Sequence, residues 1–155
     1  MEAGSLRHPR GGLYFEAFSI GQVFRHGLTR TVTQMDNMLF SNMTLNPQPL
    51  HIDAHFCATE TEWGRPIMNS LFTLGLMIGI SVNDTTVGTT IANLGMTNVV
   101  FPAPLFEGDT IRVETEVMAT RPSAPAIFGP VVGNSSTSRP APLSFPPAPH
   151  PRDQQ

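Results

Sequence analysis

The sequence predicts an α+β fold, and three observations carry that expectation. Residues 110–119 alternate apolar and polar side chains, residues 70–82 form a nearly unbroken apolar run, and Thr, Val and Ile concentrate in a stretch between the two. Alternation with a period of two marks a half-buried strand, whereas an apolar run longer than about ten residues favours a helix. One strand, a central buried helix and then antiparallel strands complete the layout.

In chain order, residues 1–12 carry Gly, Arg and Pro without periodicity and read as a loose leader, so the domain is expected to begin at about Leu13. Gly21 makes a turn into a strand pattern over Gln22 to Val32. Thr33 followed three residues later by Asp36 is a capping-box-like helix start, and the acid suits the positive end of a helix running to about Met43. Pro47 and Pro49 cannot continue that helix and force a rigid elbow, from which His51 emerges. Residues 53–60 can make a second short helix.

Asn69 is placed to cap the helix Ser70 to Val82, whose apolar faces predict burial all round. Gly75 and Gly79 lower helix propensity inside it, which predicts a close approach by a sheet wrapped around the helix. Asn83-Asp84 reads as a turn, and Thr89 to Phe101 as a strand ended by Pro102 and Pro104. Gly108-Asp109 then turns the chain into the Thr110 to Ala119 strand, where Ile111, Val113, Thr115 and Val117 alternate with Arg112, Glu114, Glu116 and Met118.

A chain of 155 residues fits one domain with a core. Its net charge of -3, with no basic cluster interleaved with aromatics, offers no footprint for a nucleic-acid backbone. The single cysteine, Cys57, has no intramolecular disulfide partner, which makes a reducing, cytoplasmic home the simplest expectation. The longest apolar run is shorter than the roughly 20 residues that span a bilayer, so no membrane partner is expected. The methionines read as core filler, since no His, Cys or Asp spacing supports metal ligation.

The pattern stops at Pro122. From Ser123 to Gln155 the charged residues are Arg139, Arg152 and Asp153, with Pro recurring from Pro125 to Pro151, a composition expected to be disordered or extended. The abruptness of the change suggests a frameshifted or alternative C-terminus, with an ordinary linker as the other reading. The domain expectation is thus a leader at 1–12, a folded unit at 13–122 and a Pro-rich tail at 123–155.

The segment Asn46-Pro47-Gln48-Pro49-Leu50-His51-Ile52-Asp53 resembles the hydratase motif of MaoC-like proteins. The likeness continues through Arg65-Pro66-Ile67, the apolar helix and the turn from Phe101 to Asp109. It implies a hot-dog fold, an antiparallel sheet wrapped around a central helix, expected here to be incomplete because the tail replaces the last strands. It also implies reversible hydration of a trans-2-enoyl-CoA to the (R)-3-hydroxyacyl-CoA, with no cofactor and no metal, in a homodimer that builds its thioester tunnel across the subunit interface.

The resemblance places catalytic roles on three positions. His51 matches the family histidine, and a neutral imidazole suits proton exchange with water; the plain alternative is a His that caps or packs at the elbow. Asn46 stands where the family has an acid, and an amide can orient water but cannot accept its proton. Either His51 works as the base with Asn46 as positioner, or Asp53 or Asp36 supplies a carboxylate, or the protein does not hydrate. Ser70 offers its backbone N–H at the helix start to a developing enolate oxygen; the alternative is that Asn69 simply caps the helix and the amides face water. Asn69 and Pro49 are expected to contact the substrate. Two further readings stand beside the hydratase: a thioesterase, which would need a carboxylate facing the scissile carbonyl, and an acyl-thioester-binding remnant without activity.

Overall fold

The computed structural model describes residues 6–121 and 129–133. Strands β1 (Val23–Arg25) and β2 (Arg30–Thr31) precede helices α1 (Gln34–Met43), α2 (Pro49–Ile52), α3 (Ala54–Glu60) and α4 (Ser70–Thr85), and strands β3 (Thr110–Ile111), β4 (Glu114–Arg121) and β5 (Gly129–Gly133) follow. All pairings are antiparallel: β1, β4 and β5 form one sheet in that order, with Val23 opposite Glu116, and β2 pairs with β3, with Arg30 opposite Ile111.

The alternation at 110–119 does what it predicts. Ile111, Val113, Thr115 and Val117 are all buried. Ile111 and Val113 join Val32, Met68 and Ile80 in the core, against which Phe72, Leu76, Met77 and Leu105 pack, so one face of α4 lies on the β2–β3 side of the molecule. The expected strand at 22–32 is real but divided, because His26 and its neighbours interrupt it between β1 and β2.

His26 explains the interruption. Its imidazole is buried, with Nδ1 donating to the Asp84 carboxylate at 2.5 Å and Nε2 2.9 Å from the Thr115 hydroxyl. One side chain thereby ties the break after β1 to β4 and to the last turn of α4. The helix accordingly runs on through Asn83 and Asp84, where the sequence suggested a turn, and ends at Thr85. Residues 6–12, expected to be a loose leader, are tied down at the same end: Gly12 N–H donates to Val87 O at 3.1 Å and Leu13 N–H to Thr85 O at 2.7 Å. Residues 1–5 lie outside the described part.

Two expectations for the central helix and its sequel fail. Among the described residues α4 is covered on one side only, with Leu71 61% exposed, and a Cβ placed on Gly75 or Gly79 would meet none of their atoms within 4 Å. Residues 90–101 form no strand and lie exposed, with Ile91 at 69% and Val100 at 74%. Both failures have one cause. A strand-forming composition needs a partner edge to become a strand, and none among the described residues reaches this segment or the outer flank of α4. Gly75→Ala and Gly79→Ala are therefore each expected to raise stability by about 0.5–1 kcal/mol, the helix-propensity difference. Urea titrations of the single variants check this, and a loss of stability would mean that a packed surface occupies the flank.

Residues 122–128 and 134–155, which hold most of the expected Pro-rich tail, lie outside the described residues. Between those two segments, inside the expected tail, Gly129–Gly133 pair with β4 from Glu116 to Arg121, with an irregularity between Val117 and Ala119.

The capping box forms as its spacing predicts: the Thr33 side chain accepts from Asp36 N–H while the Asp36 carboxylate accepts from Thr33 N–H at 2.8 Å, with Arg30 at 2.6 Å. Burial pushes the Asp36 carboxyl up, but the Thr33 amide and hydroxyl and the Arg30 guanidinium outweigh it and hold it below the usual carboxylate range. A lowered folded pKa adds stability above the unfolded value, about 3.9, which is lost as the pH falls through the folded one. Wild type should accordingly exceed Asp36→Asn in stability at neutral pH by a margin that shrinks in acid. An equal margin at both pH values, measured by urea melts, would exclude the ionised cap as its source.

Candidate functional site

The elbow is built by helix ending. At the C-terminus of α1, Leu45 takes a left-handed conformation (φ 54°), Leu45 N–H donates to Asn42 O and Asn46 N–H donates to Ser41 O at 2.9 Å. This is the paired 5→2 and 6→1 pattern of a Schellman stop, in which glycine is the usual left-handed residue. Asn46 then accepts Gln48 N–H on its Oδ1 at 3.1 Å, and Pro49 takes the first position of α2, where a missing N–H costs nothing. His51 sits in the single turn of α2. Asp53 caps α3 by accepting Phe56 N–H at 2.9 Å.

His51 is fixed by its partners. Its Nδ1 lies 2.9 Å from Ile67 O. A carbonyl only accepts, so Nδ1 carries the hydrogen, and in the neutral imidazole Nε2 is the nitrogen with the free lone pair. Its backbone carbonyl accepts from Gln34 Nε2 at 2.8 Å and from Asn37 Nδ2 at 2.7 Å. The Ile67 segment is held in turn by Ile67 N–H to Leu50 O at 3.1 Å and Met68 N–H to Leu105 O at 2.8 Å.

At the start of α4 the Asn69 side chain accepts Leu71 N–H at 3.0 Å, while Asn69 N–H donates to Asn37 Oδ1 at 2.9 Å. Ser70 N–H, between those two amides, has no acceptor among the described residues. First-turn amides left in this way carry the positive end of the helix dipole. Ser70 and His51 line the same cleft of about 330 Å³, together with Thr73, Trp63, Ile67, Met68 and the segment from Phe101 to Leu105. Its walls are largely apolar, and among the described residues no carboxylate lines it.

Of the five expected site residues, two therefore meet. Asn46 does not line the cleft, because its side-chain oxygen is used in the turn that starts the elbow. Asn69 is buried as a helix cap, and Pro49 contributes its carbonyl to Asp53 N–H, so neither faces the cleft. Asp36 and Asp53, the other carboxylates considered, serve as helix caps. Sequence reasoning passed over Thr73, Trp63 and Asn37. For Asn37 a signal existed, since Asn is disfavoured in a helix interior and needs a reason to be there. Among the described residues no three His, Cys, Asp or Glu side chains gather as a metal site, and no helix is long and apolar enough to cross a membrane.

A helix packed against antiparallel strands, with an imidazole and an open helix N-terminus lining one largely apolar cleft, makes the fold an incomplete hot-dog. The chain belongs to the family described as MaoC like domain, whose model matches residues 16–137. It is 30% identical over 110 residues to a beta-methylmalyl-CoA dehydratase of Chloroflexus aurantiacus, covering 71% of this chain and 31% of that protein. It is 29% identical over 109 residues to a 3-hydroxybutyryl-CoA dehydratase of Methylorubrum extorquens, covering 68% and 64%. The chain thus spans less than two thirds of the length of these curated relatives. Among solved structures it is similar to a monoamine oxidase regulatory protein from Archaeoglobus fulgius, with 34% identity, a TM-score of 0.65 and coverage of 74% of this chain and 76% of that one.

Proposed function

We propose that this protein catalyses the reversible hydration of a trans-2-enoyl-CoA to the (R)-3-hydroxyacyl-CoA. The observation that carries the reading is His51 Nε2, left as an acceptor by the Nδ1–H bond to Ile67, in one cleft with the open Ser70 amide. The CoA dehydratases among its relatives support the reaction class.

The thioester carbonyl oxygen accepts Ser70 N–H. His51 Nε2 takes a proton from water as the water oxygen bonds to C3, the C2=C3 electron pair shifts to form C1=C2, and the carbonyl π pair moves onto its oxygen. A hydrogen bond and a helix dipole aimed at that oxygen stabilise the enolate in an apolar cleft more than water would. The imidazolium returns its proton to C2 as the carbonyl re-forms. In the dehydration direction the same groups work in reverse order. With no carboxylate in the cleft, His51 carries the proton both ways, and Asn46 is a builder of the elbow rather than a holder of water.

The absence of a cleft carboxylate also argues against the thioesterase reading. The uncovered flank of α4 favours the other alternative, a thioester-binding remnant, and equally a homodimer that covers the flank. The unpaired Cys57 supports a cytoplasmic location. Incubation with crotonyl-CoA, following enoyl absorbance and free thiol together, separates the readings. Hydration removes absorbance without releasing thiol, thiol release marks the thioesterase, and silence in both marks the remnant.

A further inference from the structure

We infer that Asn37 is the positioning residue that holds His51 and the start of α4 in one geometry, an assignment that rests on the hydration reading for its kinetic consequence. Asn37 is fully buried in the middle of α1. Its Nδ2 donates to His51 O at 2.7 Å and to Ile67 O at 3.0 Å, and its Oδ1 accepts Asn69 N–H at 2.9 Å. Since each carbonyl can only accept and the amide can only donate, the orientation of the carboxamide is fixed by its partners.

Three of the four hydrogen-bonding capacities of this side chain go to backbone groups of the site, in two segments, at residue 51 and at residues 67–69. Ile67 O is shared between Asn37 Nδ2 and His51 Nδ1, so Asn37 holds in place the acceptor that sets the tautomer of His51. By engaging Asn69 N–H, Asn37 fixes the residue whose own side chain occupies Leu71 N–H, and Ser70 N–H is left between them for the substrate. Gln34 adds a second donor to His51 O but reaches neither Ile67 nor Asn69. An apolar residue at position 37 would leave the Asn69 amide without its acceptor and take one of two donors from each of the His51 and Ile67 carbonyls. The residue does not line the cleft, so it acts through His51 and Ser70 rather than on substrate.

The test uses the full chain. In the wild type, NMR should show the Nδ1–H tautomer of His51 and trans-hydrogen-bond couplings from Asn37 Nδ2 to the carbonyl carbons of His51 and Ile67. Asn37→Asp keeps the shape and an acceptor but removes both N–H donors. It should lower kcat on crotonyl-CoA by about 100-fold with KM within about threefold, and shift the His51 tautomer. Asn37→Ser, which keeps a hydroxyl donor in a smaller side chain, is the second variant and should show the same kcat-selective loss. A folded variant with wild-type tautomer and kcat overturns the assignment, as does a wild type without the couplings. Failure of both variants to fold overturns it too, by making Asn37 a folding residue. If the wild type leaves crotonyl-CoA unchanged, the hydration reading fails, while the tautomer and coupling measurements still decide the placement of Asn37.

Discussion

Replacing His51 with Ala is expected to lower crotonyl-CoA hydration by roughly 10²–10⁴-fold, the usual contribution of a positioned general acid–base group. The loss should fall on kcat more than on KM, because His51 is one residue of a largely apolar lining and acts only as charge develops. Steady-state rates of enoyl absorbance change in both directions check it. Equal loss in hydration and dehydration is required, since one imidazole carries the proton each way. Retention of more than about a tenth of the activity would remove His51 from the mechanism and reopen the search for a carboxylate.

The largest expected stability effect lies far from the cleft. Ile111 has no exposed surface and stands among Val32, Met68, Ile80 and Val113, where α4 meets the strands. Truncation to Ala removes buried methylenes and leaves a cavity, which costs roughly 2–5 kcal/mol. Ile91→Ala, at a position 69% exposed, should change stability by only about 0.5 kcal/mol or less. Urea midpoints of the two variants at constant slope make the comparison. Similar losses at both sites would mean that residues 90–101 are packed after all, against something that a single chain does not supply.

What the sequence revealed and what it concealed divide by range. Thr33 and Asp36 are three residues apart and bond to each other, and Asn69 caps an amide two residues on, so those helix starts are written locally. The alternation from Ile111 to Val117 reports which face is buried without needing to know by what. Residues 89–101 have an equally β-like composition, but a strand exists only against another strand. The partner is a property of the whole chain or its assembly. Burial of α4 on every face was read from hydropathy, which records a preference for cover and not its supply. In the site, the motif names His51 and Ser70, and both line one cleft. Asn46 escaped because the fate of its side chain depends on how α1 stops, through a left-handed Leu45 that composition would not nominate.

The two ends of α4 are fastened by side chains from elsewhere, Asn37 at the first turn and His26 at the last, while the flank bearing Gly75 and Gly79 stays open. With both ends of the helix held in this way, substitutions at Gly75 and Gly79 are expected to leave the Ser70 amide aimed as before.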